Sequence, residues 1–339
     1  MESLSNRALS ANGAQGSRPA VAVTAHGGRM SVINSELRLL LRRVIVVANG
    51  KGGVGKTSLA TNTAGILAEA GYKVLFVDMD PQGNAGINLG YDAAGLGDEG
   101  RALYEAVTFD QAPVPVKDVR PNLDVLPAGD EYTELLADVI LSDMRRGGSK
   151  QGAVGRALAK VAHLYDVIVI DTPPLYPALL DEALLASRWV LVPTTGEEKN
   201  LRGLAKLARR ISNIRGHNDS LALLGVVLHG VTKGATKMEA EARKDLKEML
   251  GDAAPIFEST IRYVSAADAD GSRRGQLAHE LANDAQTAEP FWKRLRGEAT
   301  GPVIASSASN LAEDYMSLAR EVVQELETQE EILAQEAAK

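Results

Sequence analysis

The chain has 339 residues, 45% hydrophobic and 24% charged, enough apolar side chain to bury a sizeable core. It contains no cysteine, which excludes disulfides, iron–sulfur clusters and thiolate metal sites, and a net charge of −7 excludes a surface uniformly attractive to nucleic acid. No stretch approaches the roughly 20 apolar residues of a membrane span, and the N-terminus lacks a charged-then-apolar secretory pattern, so a cytoplasmic location is expected.

Residues 1–28 are rich in Ser, Ala, Gly and Asn without periodicity and read as a disordered arm. The segment RMSVINSELRLLLRR, at 29–43, fits a short basic amphipathic helix beside the first strand. Apolar runs then recur at Val44–Ala48, Val74–Val77, Leu123–Leu126, Val167–Ile170, Trp189–Val192 and Leu221–Leu228. Most are continuous and β-branched, as strands covered on both faces must be. Between them lie helix patterns at Lys56–Ala70, Tyr132–Ser142, Ala153–His163, Pro177–Ala186, Leu201–Ile211 and Lys237–Leu250. This alternation predicts an α/β fold: a three-layer, doubly wound, mostly parallel sheet with helices on both faces. One domain is expected over 43–328, preceded by the arm at 1–42. An insertion is expected at about 276–309, including EPFWKRLRGEATGP, then a long acidic helix from Asn310 and an acidic tail at 329–339.

The segment RVIVVANGKGGVGKTSLATN carries the chemistry. Gly50, four residues, Gly55, Lys56 and Thr57 satisfy the P-loop pattern, set between an apolar strand and a good helix. Gly50, Gly52, Gly53 and Gly55 let the backbone turn tightly and approach phosphate. Amide groups from Gly50 through Val54 to Ser58, at the positive end of the helix, can surround the anionic oxygens. Lys56 is placed to neutralise the β and γ phosphates of a nucleotide, and Thr57 to offer its hydroxyl to Mg²⁺. Lys51, at the start of the loop, is a second lysine that an ordinary P-loop does not require.

Carboxylates follow two of the apolar runs. VLFVDMDPQGN places Asp78 and Asp80 at the carboxyl end of the second strand, and VIVIDTPP places Asp171 at the end of another. Such carboxylates are costly unless they hold a cation or hydrogen bonds, and a Mg²⁺–ATP site supplies both.

KGGVGKT resembles the deviant Walker A sequence of the ParA/MinD superfamily, and DPQGN with TTGEEKNLRG resembles its ParA branch. The resemblance spans about 43–275 and returns weakly near 310–326. It implies a partition ATPase using ATP and Mg²⁺. It also implies that Lys51 reaches the partner's nucleotide in an ATP-joined homodimer, that Asp80 positions the attacking water, and that Asp78 and Asp171 support the Mg²⁺ shell with Thr57. The ATP-bound dimer would hold DNA non-specifically over the nucleoid and be released by a ParB-like centromere-binding protein. ESTIRYVSAADADG resembles the region that carries a basic DNA contact, which implies Arg262 as that contact, and Lys233 and Lys237 lie near a second such position. The alternative is a MinD-like or cargo-positioning ATPase. Against membrane attachment stands the C-terminal segment, with eight carboxylates from Glu313 to Glu336 against Arg320 and Lys339.

Overall fold

Strand β1, Val44–Val47, sends alternate side chains to opposite faces, Val44 and Val46 into one apolar cluster and Ile45 and Val47 into another. Strands β2 (Val74–Asp78) and β5 (Val167–Asp171) do the same. Leu75, Val77, Ile168 and Ile170 join the first cluster, while Phe76 and Val169 join the second. Every residue of the three strands is buried. Two buried faces leave no place for a polar alternation, which is why the sequence runs are continuous.

A computed structural model describes residues 32–232, 234–251, 253–287, 296 and 307–337. The remaining strands are β3 (Val116–Arg120), β4 (Leu123–Leu126), β6 (Trp189–Thr194), β7 (Ala222–Val231) and β8 (Ile256–Arg262). Their order across the sheet is β3-β4-β2-β5-β1-β6-β7-β8. All neighbours are parallel except β3 and β4. Strand β1 lies between β5 and β6, so connections leave it in both directions and a crevice opens beyond its carboxyl end.

The first face is covered by α1 (Ser35–Leu40), α4 (Arg101–Thr108), α5 (Asp130–Arg145), α6 (Ala153–Ala159), α7 (Pro177–Leu185), α8 (Glu198–Ile214) and α9 (Thr236–Leu250). The second is covered by α2 (Lys56–Glu69), α3 (Asn84–Leu89), α10 (Ser265–Arg274), α11 (Ala278–Thr287) and the terminal helix α12 (Ala308–Ala337). This is the three-layer doubly wound architecture read from the sequence.

The structure refines several expected boundaries. The basic helix expected over 29–43 forms as Ser35–Leu40, with the Asn34 side chain accepting from the Leu37 amide at 2.9 Å as its N-cap. Residues 1–31 lie outside the described residues, as does most of 288–306. Within the segment expected as an insertion, α11 places Leu281 and Ala282 in the second core. Helix α12 continues to Ala337 through the segment expected as a tail, and there Glu330 accepts two hydrogen bonds from the Arg43 guanidinium, each 2.6 Å.

Candidate nucleotide site

Parallel pairing assembles the acidic half of the site. Asp78 ends β2, Asp171 ends β5, and the two are register partners on neighbouring strands. Asp171 is also the partner of Val47, the last residue of β1 before the glycine-rich loop. Asp80 follows two residues after Asp78, and its amide donates to Asp78 Oδ1 at 2.9 Å. The Gln82 amide donates to Asp80 Oδ1 at 3.1 Å, so the loop after β2 folds back on its own aspartate.

The loop between β1 and α2 faces these carboxylates. Gly53 and Gly55 have φ of 73° and 83°, left-handed values that favour glycine. Gly55 is the N-cap of α2 and offers no side chain, so the first amides of that helix remain available to an anion. Asn49, fully buried, braces the loop: its side chain donates to the Pro193 carbonyl at 2.7 Å and accepts from the Lys51 amide at 3.1 Å. Asn49 carries no functional signal in the sequence, because a lone asparagine before a glycine reads as a turn.

The two lysines differ in setting. Lys56 is buried, 6% exposed, and its ammonium donates to the Lys51 carbonyl across the loop at 3.2 Å. Burial lowers its pKa, opposed by the charges of Asp171 and Asp80. The Lys51 side chain is 41% exposed at the mouth of the loop, its ammonium 3.8 Å from Glu197 Oε2.

Thr57, on the first turn of α2, donates its hydroxyl to Asp171 Oδ2 at 2.5 Å. Burial raises Asp171 to about 7, and the Thr57 hydrogen bond and Lys56 oppose the rise. Burial, then the neighbouring Asp171, also pushes Asp78 well above the ordinary carboxylate range. Asp78 Oδ2 is buried with no hydrogen-bond partner. Three buried carboxylates against one buried ammonium, with an acceptor oxygen left over, form a site short of positive charge. Mg²⁺ fits that deficit. Among the described residues no group of three or more His, Cys, Asp or Glu side chains forms a protein-only metal cage. A Mg²⁺ held chiefly by phosphate and water needs none. The metal residues expected from the sequence, Thr57, Asp78 and Asp171, thus meet beside the loop expected to hold the nucleotide.

The chain is similar to several known proteins. Residues 42–223 match an AAA domain family. The chain is 33% identical over 244 residues to the chromosome partitioning protein ParA of Caulobacter vibrioides, covering 70% of this chain and 88% of that one. It is 35% identical to the chromosome-partitioning ATPase Soj of Thermus thermophilus over 74% of this chain and 100% of that one. The chain belongs to the ParA-like ATPases of the ParA/MinD P-loop superfamily. Among solved structures, cobyrinic acid a,c-diamide synthase from Mycobacterium smegmatis with bound ADP and magnesium is similar at 29% identity and a TM-score of 0.57. That match covers 77% of this chain and 99% of that one.

Two of the three residues expected to touch DNA in this ParA-like chain are among the described residues. Arg262 ends β8 and pairs in register with Val231 of β7. Lys237 is exposed in the first turn of α9. Lys233 lies outside the described residues. Arg262 is engaged: its Nε and Nη2 each donate to Asp314 of α12 at 2.7 Å.

Proposed function

We propose that this ATPase, a partition ATPase by kinship, works as an ATP-switched homodimer that grips DNA without sequence preference and lets go on hydrolysis. The observation that carries the reading is the contrast between its two loop lysines. Lys56 is committed to its own loop, whereas Lys51 stands half-exposed at the rim and, among the described residues, has one long, solvent-screened ion pair, to Glu197. A cation so placed is free to serve a triphosphate presented by a second copy.

ATP and Mg²⁺ are the ligands. Gly50, Lys51, Gly52, Gly53, Val54, Gly55, Lys56, Thr57 and Ser58 surround the phosphates with amides and the Lys56 ammonium. Thr57, Asp78 and Asp171 would hold Mg²⁺, partly through water, and the bound ion would supply positive charge to stabilise the phosphoryl oxygens. Asp80 orients the attacking water, because phosphoryl transfer gains most from alignment and charge stabilisation. Arg262, Lys233 and Lys237 meet DNA phosphates, a local patch that dimerisation doubles, which reconciles DNA affinity with a net charge of −7. A ParB-like centromere-binding protein stimulates hydrolysis.

The MinD-like alternative needs an amphipathic C-terminal helix free to lie on lipid. Leu311, Tyr315, Leu318, Val322 and Leu326 of α12 are already buried in the second core. No helix of the described residues is long and apolar enough to cross a membrane. Co-sedimentation separates the readings. Pelleting with plasmid in ATP but not ADP, with none on anionic vesicles, is the expected outcome. Vesicle pelleting without plasmid pelleting overturns the DNA reading.

A further inference from the structure

Arg262 is gripped in a two-pronged ion pair. Its Nε donates to Asp314 Oδ2 and its Nη2 to Oδ1, both at 2.7 Å, and its backbone amide donates to Oδ2 at 3.0 Å. The Asp314 side chain is 11% exposed against 31% for Arg262. Paired forks of this kind are geometrically specific and strong. Asp314 thus occupies the donors that a DNA phosphate would take and neutralises the charge that would attract it.

The next residue along α12 connects to the nucleotide loop through His229. Tyr315 is buried, with its hydroxyl 3.2 Å from Nε2 of His229 on β7. His229 lies against the loop itself, where a Cβ on Gly55 would run into its imidazole ring. Burial lowers the imidazole to about 4, so it is neutral near pH 7 and acts by contact and hydrogen bond. Helix α12 also packs along α2, which starts at Gly55 and bears Lys56 and Thr57, and against β8, which ends at Arg262. Consecutive residues of one helix therefore reach the arginine read as meeting DNA directly and, through His229, the glycine-rich loop.

We infer that Asp314 is a latch on Arg262, and that Tyr315 and His229 link the latch to the nucleotide loop so that a filled loop releases the arginine to duplex phosphate. This rests on the reading of Arg262 as a DNA contact. A nucleotide displaces Gly55 and the first turn of α2, and a close-packed ring beneath has no space in which to absorb the shift. The shift passes to α12 and loosens the Asp314 fork. ATP favours the unlatched arrangement only if it binds that arrangement better. Reciprocally, duplex DNA tightens ATP binding by the same factor.

The test uses the full-length protein and a linear duplex of random sequence, titrated without nucleotide and with a non-hydrolysable ATP analogue plus Mg²⁺. Asp314→Ala and Asp314→Asn are expected to bind the duplex without nucleotide about tenfold tighter than wild type or better. The salt dependence steepens by about 0.9 in log–log slope for each arginine freed. Tyr315→Phe keeps the ring and deletes the hydroxyl, and in protein shown folded by thermal unfolding the analogue should no longer raise DNA affinity as it does in wild type. Arg262→Ala separates the two layers. If it binds DNA like wild type in the presence of analogue, the DNA reading of Arg262 falls. If it weakens binding while both Asp314 variants stay at the wild-type level without nucleotide, the latch falls and the DNA reading stands. An unchanged analogue effect in folded Tyr315→Phe overturns the link through His229.

Discussion

Lys51 and Lys56 have opposite surroundings within one loop, and a lysine's surroundings determine what its charge can reach. Lys56 is buried between its own loop and the carboxylates of Asp171 and Asp80, so its charge acts inside its own subunit. Removing it deletes a charge-assisted contact worth on the order of 1.5–3 kcal/mol to each phosphate oxygen it meets. Lys56→Ala should weaken binding of a fluorescent ATP analogue by about a hundredfold or more while the protein stays folded, as fluorescence titration and circular dichroism would report. A second buried group tests the electrostatics away from the site. Glu182 of α7 accepts from the amides of Gly152 and Val154 at 2.7 and 3.1 Å, and burial raises its carboxyl from an ordinary 4.5 to about 7. Below 4.5 the group is protonated in both folded and unfolded chains. Between 4.5 and 7 the folded chain keeps a proton that the unfolded chain has lost, so stability falls as pH rises through this window. The loss is complete above 7, at most on the order of 3 kcal/mol. Urea unfolding across this range should show a smaller fall for Glu182→Gln than for wild type.

Among the elements, the central strands were readable and the edges were not. Val44–Val47, Val74–Asp78 and Val167–Asp171 are buried on both faces, so their apolar character is unbroken. β3, VKDVR, is half-exposed at one sheet edge, pairs antiparallel with a register shift, and bends through Asp118 at a φ of 53°. β8, IFESTIR, edges the other side with exposed or half-buried polar residues. An edge strand with a wetted face carries no continuous apolar signal. At the site, the loop and its three aspartates follow strand ends, so their sequence neighbours announced them. His229 gave no such signal, because only the folding of β7 beneath the loop, with α12 behind it, reveals what it touches. The terminal helix reads in the sequence as a long acidic helix within the domain, and its packing partners are not legible there: Leu318 is fully buried and α12 packs on α2, β7 and β8. Leu318→Ala should cost about 2–5 kcal/mol in denaturant unfolding. A cost below 0.5 kcal/mol would mean that α12 is peripheral after all.

Taken as one body, the chain combines a net charge of −7 with a crevice at the point where its sheet winding reverses, and Lys56, Asp78, Asp80 and Asp171 are buried there. Such a molecule gains affinity for a polyanion by presenting a few cations together, and in the proposed dimer Lys51 would be the residue that doubles the chain across its nucleotide. In the proposed cycle hydrolysis would reset the affinity, since ADP has no γ phosphate for a neighbour's lysine to grip. The molar mass of Asp80→Ala in solution, measured by light scattering with Mg²⁺–ATP and with Mg²⁺–ADP, bears on this directly. ATP should double the 35.9 kDa chain mass, ADP should leave it single, and adding Lys51→Ala should abolish the doubling. A protein that stays at one chain in saturating ATP, or that pairs equally well without Lys51, would contradict the shared-nucleotide dimer.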